Sequence, residues 1–260
     1  MATEPNGSPS PAEHVSLSLA LLWGTRERPA RGPKRGLTLD QIASAAIAVA
    51  DADGLDALSM RRVGRELGVG TMSLYRYLPG KTELLDLMLD AVSDPSEELT
   101  RSEGKDWRSM LAVVARSARD RYLAHPWLLQ VNWSRPVVGP NTLAGLEHVV
   151  AGLNGLGLTD QERITVLITI DGFVTGVARS RLHHAAAVEM TGLSDEEFWA
   201  RHYPVLEKAM ASGEYPAMAS LSEDAFSLGW DESFEWGLQR VLDGIEALID
   251  SRRSGQPVTP

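Results

Sequence analysis

Residues 59–78 read Ser-Met-Arg-Arg-Val-Gly-Arg-Glu-Leu-Gly-Val-Gly-Thr-Met-Ser-Leu-Tyr-Arg-Tyr-Leu. This run spells two short helices joined by a tight turn. Ser59 supplies a hydroxyl cap for the first helix, and Gly68-Val69-Gly70 breaks it after Leu67. A helix-turn-helix needs a small residue where its helices cross, a turn residue that tolerates positive φ, and apolar residues that hold the second helix down. Gly64 and Gly68 meet the first two needs, and Val63, Leu67, Val69, Leu74 and Tyr77 the third. The second helix is expected over 71–78, ahead of Pro79-Gly80.

The flanks extend the helical pattern. Upstream, Leu39, Ile42, Ala46, Val49 and Ala50 recur at spacings of three and four and stop at Asp53-Gly54. Downstream, Lys81 opens a helix with Leu84, Leu85, Met88, Leu89 and Val92 on one side. Further helices are expected over 105–124, 126–133, 141–156, from 159 onward, 194–212 and 231–251. Thr159 with Glu162, and Ser194 with Glu197, have the spacing of a capping box. No sustained period-two run marks a strand, so the fold class is all-α: an N-terminal helix-turn-helix domain and a larger helical domain.

Four segments follow. Residues 1–36 are a flexible extension: 1–13 are rich in Pro, Ser, Gly and Asn and expected to be disordered, with a short amphipathic turn over 15–23. Within 26–36, Arg28, Arg31, Lys34 and Arg35 sit among two prolines and two glycines, which forbid a helix and leave a cationic arm. Such an arm either lies in a minor groove or is only a basic linker. Residues 37–83 form the helix-turn-helix domain, 84–254 the larger domain, and 255–260 a disordered tail.

Composition excludes several chemistries. The 260 residues contain no cysteine, which removes disulfide scaffolds, thiolate metal sites and thiol nucleophiles. No Gly-rich phosphate loop, His-Glu-x-x-His pair or nucleophile elbow occurs, so neither an enzyme, a cofactor nor a metal is expected. Val15–Trp23 is too short to span a bilayer and lacks a basic leader, so no membrane is expected, and the cytoplasm is the expected compartment. The formal charge of −10 is divided unevenly. Residues 1–81 hold ten Lys and Arg against eight Asp and Glu, a surplus of +2; the other 179 residues hold fifteen against twenty-seven, or −12. One end can approach phosphates and the other repels them.

From 38 to 90, and above all in Leu-Tyr-Arg-Tyr-Leu-Pro-Gly-Lys-Thr-Glu-Leu-Leu (74–85), the sequence resembles the tetracycline-repressor family. It departs at Gly64, where many members carry Ala. The resemblance implies a homodimeric repressor that binds palindromic operator DNA and is released by a small-molecule inducer. An activator or a ligand-independent regulator is the alternative, and a ligand-binding helical protein or an enzyme is the alternative of another class. Thr71, Met72, Ser73 and Arg76 would face bases, while Thr38, Arg61, Tyr75, Tyr77 and Lys81 would meet phosphates or sugars. An aromatic at Tyr77 also suits packing. The last helix and the long helix after Thr159 would pair with their copies in the dimer.

Beyond residue 105 the resemblance continues through Asp106-Trp107-Arg108 and Asp171-Gly172-Phe173-Val174-Thr175-Gly176. It implies a ligand pocket with apolar walls from Trp107, Met110, Trp127, Trp133, Phe173 and Val174. Arg116, Asn132, Asp171, Arg179 and His183 would orient the ligand. The histidines do not line up as a magnesium-drug site, so metal-tetracycline binding is not carried over.

Overall fold

The computed structural model describes residues 10–24, 37–131, 137–222 and 224–254. Arm residues Arg28, Arg31, Lys34 and Arg35 lie outside them, as do Asn132, Trp133 and the tail 255–260. Regular structure among the described residues is helical throughout, with no strand. The chain divides into two compact units whose boundary in sequence falls between Leu167 and Ile168.

In the first unit, α1 spans Pro11–Leu22, α2 Leu39–Asp53, α3 Met60–Glu66, α4 Thr71–Leu74 and α5 Lys81–Ala91. The remaining helices are α6 (Ser96–Ser102), α7 (Trp107–Ala124) and α8 (Pro140–Gly152), with 3-10 turns at Leu55–Ala57 and Pro126–Gln130. Local chemistry sets the ends. Thr38 Oγ1 accepts from the Gln41 N–H at 3.1 Å while the Gln41 side chain accepts from the Thr38 N–H at 3.0 Å, which begins α2. Gly54 ends it at φ 80°, a conformation that a side chain would strain. Ile42, Ala46, Val49, Leu58, Val63, Leu74, Leu78, Leu84 and Met88 are almost wholly removed from water. Burying each of the larger ones stabilises the fold by about 1.5–3 kcal/mol.

The N-terminal expectation needs correcting. Residues 10–13 are not disordered, and the element at 15–23 is no isolated turn: α1 starts at Pro11 behind a complete Ser10/Glu13 capping box. The helix persists because it has a partner. It runs parallel to α5, with His14 Nδ1 2.5 Å from Glu83 Oε1 and Ser18 Oγ donating to Asp86 Oδ2 at 2.5 Å. Trp23 Nε1 donates to the Val138 carbonyl at 3.1 Å. Glu83 is fully buried, and a buried carboxylate is costly unless paired; α1 supplies a partner, His14, for one of its two oxygens. Burial raises the Asp86 carboxyl above its ordinary range, against the Ser18 hydrogen bond that lowers it.

Two other expectations shift. The regular part of the second motif helix ends at Leu74, and residues 75–77 continue as turns, since Tyr77 and Leu78 both donate to the Leu74 carbonyl. Helix α6 was not anticipated, because Ser96–Ser102 offers a single large apolar residue, Leu99. Tertiary bonds hold it instead: Arg121 to Glu98 at 3.0 Å, and Ser102 Oγ to His148 Nε2 at 2.7 Å.

Helix α9 spans Asp160–Thr191, and the second unit continues with α10 (Asp195–Ala211), α11 (Pro216–Ala219) and α12 (Trp230–Arg253). The two expected capping boxes, Thr159/Glu162 and Ser194/Glu197, are both formed. In the second unit α9 and α12 run antiparallel. Arg181 meets Asp231 at 2.7 Å, and Phe173 stacks on Phe234 with centroids 5.5 Å apart. Val174, Ala178, Phe234, Leu238, Leu242, Ile245 and Ile249 are buried.

Candidate nucleic-acid interface

Two helices and a turn make the hairpin. Ser59 Oγ accepts from the Arg62 N–H at 3.2 Å and starts α3. Gly68 turns the chain at φ 68°, and the Val69 N–H returns to the Gly64 carbonyl at 2.8 Å. A Cβ on Gly64 would stand 3.0 Å from the Val69 carbonyl oxygen, so a small residue is required where the turn crosses α3. Val63 and Leu74 have no exposed surface; α4 packs on α3, with Leu74 close to Gly64, and α3 packs on α2.

With its apolar side used for anchoring, the hairpin leaves the other side bare. Met72 is 77% exposed, and Tyr75 and Arg76 are also exposed. Thr71, Ser73 and Tyr77 are half-buried beside them. A methionine that exposed gains nothing from the fold, and beside an arginine and a tyrosine it can meet the edges of bases.

The cations around the hairpin divide by role. Arg62 is bound on the scaffold, 2.7 Å from Glu66 and 3.1 Å from Asp53, and those bonds hold its guanidinium above its ordinary range. Its neighbour Arg61 is exposed. Lys81, at the first position of α5, is exposed and donates to the Leu55 carbonyl at 3.2 Å, which holds its ammonium beside the hairpin. Thr38 is exposed, and its hydroxyl oxygen accepts from Gln41, leaving the proton to donate outward.

The expected ligand residues fall in both units. In the first, Trp107, Met110 and Arg116 lie along α7; Met110 is buried, with its methyl against Gly152 of α8, and the other two are half-buried. Trp127 is buried, and its indole N–H donates to Asp51 Oδ1 at 2.7 Å. The same oxygen is 2.8 Å from His125 Nδ1, so this pair ties the turn after α7 to helix α2. In the second unit Val174 is buried, Phe173 is half-buried and lies over Gly237, and Asp171, Arg179 and His183 are exposed. Among the described residues no three His, Asp or Glu side chains gather as a metal site would require.

Sequence reading passed over Asp51, Glu83 and Asp90. Asp90 is buried at the end of α5, and Asn141 and Thr142 donate to it from the first turn of α8. No local spacing signals such pairings, whose partners lie more than fifty residues away.

Comparison with known proteins gives three concordant findings. Residues 42–88 match the family described as bacterial regulatory proteins, tetR family, and residues 101–249 match the tetracyclin repressor-like C-terminal domain. The chain is similar to the HTH-type transcriptional repressor DrrR1 of Streptomyces coeruleorubidus, with 53% identity over 97% of this chain and 92% of the relative. Its structure is similar to apo ActR of Streptomyces coelicolor at a TM-score of 0.64 and 31% identity, covering 85% of this chain and 99% of ActR. The ActR complex with actinorhodin gives a TM-score of 0.63 and 32% identity, covering 82% and 98%.

Proposed function

Because the chain belongs to the tetracycline-repressor family of bacterial regulators, we propose that it is a repressor which binds a palindromic operator as a homodimer and releases it when a small inducer occupies the C-terminal domain. The observation that carries this reading is the bare face of the hairpin: exposed Met72, Tyr75 and Arg76 stand opposite a fully buried anchor of Val63 and Leu74. Residues 37–83 are assigned to DNA and 84–254 to ligand and dimer. Thr71, Met72, Ser73 and Arg76 read bases; Thr38, Arg61, Tyr75, Tyr77 and Lys81 hold the backbone.

Dimerisation is supported by α9, where Ile164, Ile168, Gly172, Gly176 and Ser180 form an exposed stripe four residues apart. Beyond the local backbone of α9, none of the described residues comes within 4 Å of a Cβ built on Gly172 or Gly176, so a partner helix has room to approach closely. The inducer reading is supported by the likeness to ActR with bound actinorhodin, and Trp107, Met110 and Arg116 of α7 are assigned to the ligand. The cytoplasm is the assigned place of action; no helix among the described residues is long and apolar enough to cross a membrane.

The test compares two substitutions on a duplex that the protein selects from a random pool. Arg76→Ala should weaken the selected duplex by about 1–3 kcal/mol and relax preference at one base pair, because its fork pairs with a guanine edge. Lys81→Ala should weaken all sequences alike and reduce the salt slope by about one. Equal losses on selected and random duplexes for Arg76→Ala would contradict the assignment.

A further inference from the structure

Helix α8 has no cap of its own. Its N-cap residue is Gly139, which offers no side chain to the first turn. The missing acceptor comes from another helix. Asp90, 6% exposed in the last turn of α5, accepts from the Thr142 N–H and hydroxyl at 3.0 Å each and from the Asn141 N–H at 3.3 Å. The Asn141 side chain donates back to the Asp90 carbonyl at 3.1 Å. A carboxylate on backbone N–H groups at a helix start makes charge-assisted bonds and meets the positive end of the helix dipole.

Gly139 is required here by space rather than conformation. Its φ is −93°, open to any residue, yet a Cβ would stand 2.3 Å from Asp90 Cγ. The other end of α8 is equally close: a Cβ on Gly152 would meet Met110 Cε at 2.5 Å. Thirteen residues of helix make a rod about 20 Å long, with α7's buried Met110 at one end and α5 at the other. Helix α5 in turn carries Lys81 beside the hairpin, bonded to Leu55.

We propose that Asp90 is the positioning residue that makes α8 and α5 move as one body, so that a change at Met110 reaches the DNA hairpin through the first turn of α8. The proposal rests on the regulator reading above and adds the route of its regulation. Coupling is reciprocal, so it is measurable from the DNA side without an inducer. The probe is the duplex selected from a random pool, and the readout is amide hydrogen exchange at residues 143–145, beyond the two amides that bond to Asp90 itself, with and without it. In the wild-type protein the duplex should slow exchange there about threefold or more. In Asp90→Ala and Gly139→Ala, exchange should be faster in both states and the ratio between them should fall to about one; Asp90→Asn, which keeps one acceptor and the volume, should give an intermediate ratio. A cap that only stabilises α8 would speed exchange yet leave the ratio at the wild-type value, and that result overturns the proposal, as does a wild-type ratio of about one. Failure to select any duplex overturns the regulator reading and this route with it.

Discussion

At Gly64 two effects of similar size oppose each other. A glycine inside a helix costs about 1 kcal/mol relative to alanine. Alanine here would bring its Cβ to 3.0 Å from the Val69 carbonyl oxygen, closer than a comfortable contact. The carbonyl belongs to a turn rather than to a helix, and a shift of a few tenths of an ångström there would relieve the contact. Gly64→Ala is therefore expected to raise stability by less than about 1 kcal/mol, read as the denaturant midpoint at unchanged slope. A fall in the midpoint would mean that the turn after Leu67 is rigid. Gly68 allows no such exchange, because its φ of 68° is itself unfavourable for a side chain.

Helix α1 is an element held by three tertiary side-chain bonds, one of which reaches a fully buried carboxylate. Glu83 has no exposed surface, one oxygen on His14 and the other without a hydrogen-bond partner. His14→Ala should cost about 1–3 kcal/mol by leaving that carboxylate unpaired. Adding Glu83→Gln to the same chain should recover part of the loss, because a neutral amide is cheaper to bury than a charge. Thermal unfolding of the single and double variants checks this; additive losses would show that the contact carries no coupling. What the sequence allowed to be read follows the same physics. Helices α2, α3 and α10 were legible from Thr38, Ser59 and Ser194, whose hydroxyls bond three residues ahead. The Ser10/Glu13 box obeys the same rule but sits after a Pro- and Ser-rich run that argues against any helix. The apolar anchors of the hairpin, Val63 and Leu74, were legible from the pattern itself, whereas the residues on its exposed side were named from the family resemblance. Trp127 was legible as a large apolar residue, yet its hydrogen bond to Asp51, seventy-six residues away, depends on tertiary packing that periodicity cannot encode.

For the whole molecule, charge and symmetry decide what DNA sees. The acidic surplus after residue 81 disfavours phosphates there, whereas residues 1–81 carry a small cationic surplus. One four-residue helix touches few base pairs, and two copies set one helical turn apart multiply the discrimination. In the proposed dimer the stripe on α9 is the join, and Gly176→Leu should disrupt it while leaving the single chain intact, since a Cβ there meets no other described part of its own subunit within 4 Å. The decisive measurement is the mass of the complex formed on the selected duplex at moderate salt. Two chains on one duplex, with half-site centres about 34–36 Å apart and Gly176→Leu shifted toward weaker, single-chain binding, is the expected result. One wild-type chain per duplex, or equal binding to selected and random duplexes, would contradict it.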